Sequence, residues 1–536
     1  MSPQIARSWT TTSFRPPHRP TAAPPSTLHL QPAAPPPPPA PPLPTPLHHL
    51  LLHLLRSAPS TDEALPALAA AAAAHAYALP RLARREGGLW LLAPPRLLRL
   101  RAAAPAARLA APYAPPRAPP PAVPSVDFAT EWAASGARLL AEGACCTLRR
   151  CALFPPGLRH WGRRAYLEAQ LAAAPCHVLE SDARRYCYWT DLASPASDRV
   201  SAGYPFRAPV ASRFLAARDF FARSDAREGV YLQHSLLLPR EGGGMAPTAG
   251  VGEQMAAELR DGVDAAVLRA IAGAGAFGPL ARVQLFVGTR AAEGARTNLH
   301  FDQYDNIFLQ LSGSKTFVLF PPSQTGNLYQ YPIHHALDRS CQVDLLRADT
   351  ERFPRSAPTR LKGCTVTVRP GDVLFLPAYW WHEVITEPIG PDEEMTVSLN
   401  FWFSTARMLF SPELPLRPAV RVELSRQLEF LIADALADRA HYVPTFFKGM
   451  TAQLNAIAAE GGGGRTTDGE QGEAWQAHLA ECPADVEPWE WVGLFEFIIA
   501  RLMLMLGAHQ VKDFVDDLCS PDRFVALHSP QYNNHI

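Results

Sequence analysis

Three residues could share one metal ion. His300 and Asp302 stand two apart in His300-Phe301-Asp302, and alternate residues of an extended chain face the same side, so an imidazole and a carboxylate converge. His382 offers a third ligand at the end of a strand that the turn Arg369-Pro370-Gly371-Asp372 introduces, after Pro377-Ala378-Tyr379-Trp380-Trp381. Two histidines and one carboxylate facing one way form the ligand set of non-haem iron(II) oxygenases, with coordination positions left open. That chemistry needs the open positions, because a bidentate 2-oxo acid and dioxygen must reach the same ion. An isolated His-x-Asp is explained as well by hydrogen bonding at a strand end. Lys315, directly after Ser312-Gly313-Ser314, either pairs with the distal carboxylate of such an acid or is a solvated lysine on an edge strand.

These residues need a rigid frame, and short apolar or alternating runs supply one. Val283 to Val287, Ile307 to Leu311, Thr316 to Phe320, Cys364 to Val368, Val373 to Leu376 and Thr396 to Phe403 read as strands. Ser312-Gly313-Ser314 makes a hairpin, and Pro321-Pro322 ends a strand. Many short strands without regular intervening helices predict an antiparallel sandwich or barrel. Upstream, Glu131 to Leu140 and Ala208 to Ala222 read as helices. Downstream, Leu424, Leu428, Leu431, Ile432, Ala435 and Leu436 share one helical face, followed by Phe447, Met450, Leu454 and Ile457 on a second helix. Trp489 to Leu518 supplies a further apolar helical region.

The remaining sequence sets limits. Of 536 residues, 55 are proline, gathered toward the N-terminus where Pro32 to Pro46 is almost pure proline and alanine, and such a run cannot build a core. Fifty basic residues balance fifty acidic ones, so no global field argues for nucleic acid or an anionic membrane. No run of about 18 apolar residues is uninterrupted; Val492 to Leu506 is broken by Glu496 and Arg501 and reads as a buried or interface helix. Nine cysteines without a CxxC pair fit a reduced, intracellular chain. The first 61 residues lack Asp and Glu but carry Arg7, Arg15, Arg19 and Arg56, which leaves an organelle transit peptide as an alternative to cytoplasm or nucleus. His334 and His335, Trp380 and Trp381, and Cys145 and Cys146 read as structural residues.

A set of strings carries a resemblance: Asn298-Leu299-His300-Phe301-Asp302, Phe320-Pro321-Pro322, Tyr331-Pro332-Ile333-His334-His335, Gln342-Val343-Asp344, Glu351-Arg352-Phe353-Pro354, Pro370-Gly371-Asp372-Val373, Tyr379-Trp380-Trp381-His382 and Asn400-Phe401-Trp402. Together they resemble the JmjC-type oxygenases, and within them the asparaginyl hydroxylase branch called factor inhibiting HIF. The resemblance implies a double-stranded β-helix (jelly-roll, cupin) core flanked by helices, mainly β with α, and a C-terminal helical region. The expected organisation is a Pro/Ala-rich head over 1–125, a helical and strand part over 126–280 and the core over 281–405. A helical dimerisation unit over 415–458, a Gly-rich linker over 459–474 and a helical extension over 475–536 follow.

The same resemblance implies an Fe(II)-dependent dioxygenase with 2-oxoglutarate and O2 as cosubstrates, hydroxylating a side chain of a polypeptide, with ankyrin-repeat proteins as the family-level expectation. His300, Asp302 and His382 would bind iron, while Lys315, Thr297 and Tyr231 would hold the far carboxylate of 2-oxoglutarate. Asn306 and Asn400 would hydrogen-bond the cosubstrate or the carboxylate ligand. Gln233, Arg339 and Trp402 fall where the family contacts its polypeptide. Ser340 departs from the pattern, standing where that branch has a glutamine that reads the target amide. The alternatives are a related oxygenase that demethylates lysine, and a catalytically silent cupin scaffold that binds partners. A homodimer through 415–458 is implied as well, with no nucleic-acid or membrane partner.

Overall fold

The computed structural model describes residues 122–154, 160–195, 197, 199–240, 243–347, 349–405, 415–460, 476–525 and 527. Nearly all of the expected head and linker, the transit-peptide reading included, lies outside the described residues. The chain enters with β1 (Ser125–Asp127), α1 (Ala137–Ala141), β2 (Cys146–Arg149), α2 (Arg164–Gln170), β3 (Cys176–Glu180) and β4 (Arg185–Tyr186). Next come β5 (Ala211–Leu215), α3 (Ala217–Asp225), β6 (Val230–Pro239), β7 (Met245–Pro247), α4 (Glu253–Gly262) and α5 (Ala265–Ala274). The region rich in strands holds β8 (Leu280–Thr289), β9 (Arg296–Thr297), β10 (Tyr304–Ser312) and β11 (Lys315–Phe320). It ends with β12 (Cys364–Val368), β13 (Val373–Leu376), β14 (Trp381–Thr386) and β15 (Met395–Ser404).

Two sheets face each other. The major sheet runs β1-β2-β13-β10-β15-β8-β6-β3-β5, with β7 on β6, and the minor sheet runs β12-β11-β14-β9-β4. Strand alternation gives the major sheet two different faces. Val283, Leu285, Val287, Ile307, Leu309, Val397, Leu399 and Phe401 point outward into a core shared with Phe220, Met255, Leu259 and Ile271 of the flanking helices. The intervening residues line the space between the sheets. Gly313 makes the β10–β11 hairpin with φ +65°, a conformation that glycine takes without steric cost.

Two local expectations change. Ala208 to Ala222 is not one helix: Ala211–Leu215 is strand β5, paired antiparallel with β3, because hydrogen bonding to an open sheet edge outweighs the weak helical preference of the segment. His382 does not end β13 but is the second residue of β14, paired with Leu319 of β11. The Pro377–Trp380 segment carries the chain from one sheet to the other.

After β15 the chain forms α6 (Pro418–Ala435), α7 (Val443–Glu460), α8 (Gln476–Leu479), α9 (Pro488–Leu506), α10 (Ala508–Leu518) and α11 (Asp522–Val525). Helix α6 is buried on every side from Val420 to Asp434, polar residues included. Its charges meet opposite charges within the chain: Asp338 accepts from Arg199 and Arg426 at 2.8 Å each, and Glu429 pairs with Arg523 of α11. Arg421 donates to Gln510 of α10. The surface expected to meet a second copy is therefore covered largely by α9, α10 and α11 of the same chain, and Ile457, placed on the apolar face of the second helix, is exposed. Among the described residues no single helix is long and apolar enough to cross a membrane.

Glu429 also accepts the Ile333 backbone N–H at 2.8 Å, so α11 holds the 331–341 loop through one carboxylate. Removing one partner of a buried ion pair leaves the other charge uncompensated. Arg523→Ala is expected to cost roughly 3–5 kcal/mol of stability, measured by chemical denaturation; a loss below about 1 kcal/mol would mean the pair does not hold the extension.

Candidate metal centre and 2-oxoglutarate pocket

The two candidate histidines meet as an antiparallel pair. His300 N donates to His382 O at 3.1 Å and His382 N to His300 O at 2.7 Å, so both side chains leave the backbone on the same side. Their rings lie 4.2 Å apart between centroids. Each Nδ1 is tied to the carbonyl two residues back, His300 to Asn298 at 2.7 Å and His382 to Trp380 at 3.0 Å. A ring whose Nδ1–H donates to a carbonyl presents the lone pair of Nε2, the tautomer a metal ligand needs. Burial pushes the His300 imidazole down to about 4, which keeps it neutral, with a lone pair open to a metal, at physiological pH.

Asp302 completes the set. Its Oδ2 lies 3.5 Å from His382 Nε2, and one ligand atom from each of the three residues falls within 4.8 Å of the others. The residue is held by its surroundings: its backbone carbonyl accepts from Tyr379 N at 2.8 Å, and Arg339 Nη1 approaches carboxylate Oδ1 at 3.8 Å. Tyr379 and Arg339 both carry positive φ, +65° and +70°, an arrangement that persists only where the surrounding structure enforces it. The enforcement is visible. Tyr379 OH donates to Glu423 at 2.9 Å, and Phe301 N donates to Arg339 O at 3.0 Å.

Deeper between the sheets sits Lys315. It pairs with Thr386, while Leu319 pairs with His382, so Lys315 and His382 share a face and stand four residues apart along the ladder, about 13 Å at strand spacing. That separation suits a lysine side chain and a short dicarboxylate laid end to end. Lys315 is not at an open mouth but 2% exposed. Its Nζ donates to Tyr231 OH at 2.8 Å and stands 5.4 to 5.6 Å from the rings of Tyr231, Phe286 and Phe308. No carboxylate among the described residues pairs with it, and burial pulls its ammonium down to about 7. A Cβ on Gly288 would meet Tyr231 Cε2 at 3.2 Å, so the glycine leaves room for that ring.

The other expected residues divide. Asn306 and Asn400 face the interior from β10 and β15, Gln233 from β6 and Trp402 from β15; Asn306 Oδ1, Asn400 Oδ1, Gln233 Oε1 and Trp402 Nε1 are buried without a hydrogen-bond partner. Several such atoms lining one space mark a place where a polar guest belongs. Thr297 lies on β9, where its hydroxyl accepts from Val384 N at 2.9 Å and keeps its proton to donate, but it has no hydrogen bond to Lys315 or Tyr231. Ser340 is bridged to His300 and its hydroxyl accepts from Asn298 at 2.7 Å. His334 is tied up by Val200 O, and His335 accepts from Leu337 N; both are structural, as expected.

Residues 246–407 match the family model described as a cupin-like domain. The fold is cupin-like. The chain is 32% identical over 119 residues to "Lysine-specific demethylase JMJ31" of Arabidopsis thaliana, covering 22% of this chain and 21% of that protein. It is 39% identical over 122 residues to "HSPB1-associated protein 1 homolog" of Danio rerio, 22% and 24% of the two chains. To "Jumonji C domain-containing protein 5" of Drosophila melanogaster it is 32% identical over 110 residues, 20% and 25%. The match thus spans a quarter or less of these relatives' length. They support the JmjC-type resemblance but not the narrower likeness to factor inhibiting HIF.

The sequence reading missed Phe286, Gln284 and Tyr186. Tyr186 stacks on Tyr231 at 5.2 Å, and Gln284 is a buried amide on the inner face. The alternation of Val283 to Val287 held the signal, since its intervening positions face the cupin interior.

An anion on Lys315 would favour the charged ammonium. The free protein, with Lys315 at about 7, is partly neutral above that pH, so binding a dicarboxylate must draw in a proton there. Affinity for 2-oxoglutarate is expected to fall as pH rises through 7 to 9, with proton uptake seen by calorimetry in two buffers of different ionisation enthalpy. Affinity flat over that range would remove Lys315 from the contact.

Proposed function

We propose that this chain is an iron(II)- and 2-oxoglutarate-dependent oxygenase that hydroxylates a side chain of a polypeptide. The observation that carries the proposal is Lys315, a buried amine with no carboxylate partner among the described residues, set on the same face as His382. A buried charge without a counter-charge is costly, and a ligand carboxylate supplies what the fold omits. In this reading His300, Asp302 and His382 hold the ion through two Nε2 lone pairs and one carboxylate. Bound iron with 2-oxoglutarate would supply dioxygen activation.

The chain's own residues do the rest. Lys315 and the Tyr231 hydroxyl take the far carboxylate, and Thr297, whose hydroxyl proton is uncommitted, is a second donor for it. Asn306 and Asn400 offer amides to the cosubstrate or to the carboxylate ligand and fix its orientation. Aromatic walls from Phe286, Phe308 and Tyr231 exclude water from that end. Gln233, Arg339 and Trp402 face the polypeptide, with Ser340 beside the ion.

A second reading, oxidative demethylation of lysine, is favoured by the name of the Arabidopsis relative. The products separate the two: mass spectrometry shows one added oxygen for hydroxylation and a lost methyl group, released as formaldehyde, for demethylation.

Purified protein is expected to turn over 2-oxoglutarate to succinate only with added iron(II), and His300→Ala to abolish this. Protein that remains inert after iron loading would sink both readings. Lys315→Ala should raise the KM for 2-oxoglutarate by about 10- to 100-fold, the worth of one charge-assisted contact, with less effect on the KM for peptide.

A further inference from the structure

Between the candidate metal ligands and Lys315 the minor sheet carries one more row of inward side chains. On β14 the inner face bears His382, Val384 and Thr386. Leu319 pairs with His382 and Lys315 with Thr386, so Val384 marks the level midway between the metal ligands and the lysine. Strand β9 continues that level: Ile385 pairs with Arg296, and the next residue, Thr297, takes the Val384 N–H on its hydroxyl. Strand β4 carries it to the sheet edge, where Tyr186 pairs with Thr297 in parallel and Asn298 N donates to Tyr186 O at 3.1 Å. Arg296 and Glu383 are paired on the opposite face, so alternation sends Tyr186 inward beside Thr297.

The Tyr186 ring stacks on Tyr231, 5.2 Å between centroids and 28° between planes, and Tyr231 in turn holds Lys315. A stacked ring needs no hydroxyl, yet Tyr186 carries one. That oxygen is buried and has no hydrogen-bond partner among the described residues, an arrangement that costs stability where phenylalanine would not. Burial pushes the phenol up from its ordinary range, so it stays protonated and able to donate. Tyr186 and Thr297 also border a cleft of about 320 Å³ outside the sheet, near Asp344 and Phe353. The Tyr186 oxygen is out of contact with solvent, which fits the space between the sheets and not that cleft.

A carboxylate presents about four lone-pair sites. Lys315, Tyr231 and Thr297 account for three of them. We propose that the Tyr186 hydroxyl is a further donor to the far carboxylate of 2-oxoglutarate and, with Lys315, a residue by which the protein selects a dicarboxylic 2-oxo acid over one that ends in a methyl group. The inference rests on the proposed function and adds to it a cosubstrate contact. The two tyrosines act as a pair: stacking fixes both rings, and each hydroxyl has a proton to give to the same anion.

The test uses full-length protein loaded with Mn(II), the variant Tyr186→Phe, and two ligands of equal chain length. These are 2-oxoglutarate and 2-oxopentanoate, the second with a methyl group in place of the far carboxylate. Calorimetry should show Tyr186→Phe weakening 2-oxoglutarate by about tenfold or more, the worth of a hydrogen bond to a charged group. The affinity of 2-oxopentanoate, measured by displacement of 2-oxoglutarate, should be the same for both proteins. Free of ligand, Tyr186→Phe should melt no lower than the wild type, because the hydroxyl it removes has nothing to bond. A loss under about threefold would leave the hydroxyl idle or turned to the cleft and would overturn the inference. An equal loss with 2-oxopentanoate, or a ligand-free variant that melts lower, would overturn it in favour of a structural role. Wild-type protein that binds no 2-oxoglutarate with metal present would count against the proposed function instead, so the two failures are distinguishable.

Discussion

The reciprocal backbone pair between His300 and His382 joins two segments that belong to different parts of the minor-sheet edge, and much else in the molecule exists to maintain it. Two N–H to carbonyl bonds fix the separation and direction of both imidazoles, and the Nδ1 contacts to Asn298 and Trp380 fix their rotation. On the other flank of the 298–302 segment, Phe301 N and Cys341 N exchange bonds with Arg339 and Leu299. The segment is thus a central strand in a local three-stranded arrangement, too short to be stable without the walls around it.

Those walls are held by buried charge. Asp338, Arg199, Arg426, Glu423, Glu429 and Arg523 occupy the space between the 331–341 loop and α6, all deeply buried. Burial pushes the Glu423 and Glu429 carboxyls up and their arginine partners hold them down. A buried ionic cluster is a poor source of net stability compared with apolar packing, yet it is directional, and direction is what a loop with a left-handed arginine at position 339 requires. The C-terminal helices enter the same cluster through Arg523. They lie outside the 246–407 match and still reach, through Glu429 and Ile333, within a few residues of the candidate metal ligands.

The interior follows a different logic. Lys315, the amides of Asn306, Asn400 and Gln233, and the Trp402 indole are polar groups placed in a space that does not itself satisfy them. A fold selected for stability alone would replace them with apolar residues of similar size. Their retention on one inner face, opposite an outer face packed by valine, leucine and isoleucine, is the clearest physical mark of a binding interior.

Most of this frame was legible in the chain. Alternation in 283–287, 307–311, 316–320 and 396–403 marked real strands, and the spacing of His300 and Asp302 put both on one side, because the period of an extended chain is a local property. Wherever neighbours distant in sequence decide the outcome, local pattern was insufficient. Ala211–Leu215 became a strand because β3 offered an open edge, and His382 moved to its own strand because β11 paired with it. The expected meeting of Lys315 and Tyr231 came from resemblance, not from the 84 residues that separate them. The helical face of Leu424 to Leu436 was plain from its period, but the period does not say what covers it; here residues 488–525 of the same chain largely do. What the sequence determined by itself was the residue types, the faces they occupy and the metal-binding chemistry those types permit. Only the tertiary structure decided which faces meet and that no carboxylate among the described residues pairs with Lys315, since register between distant strands is set by packing across the whole sheet.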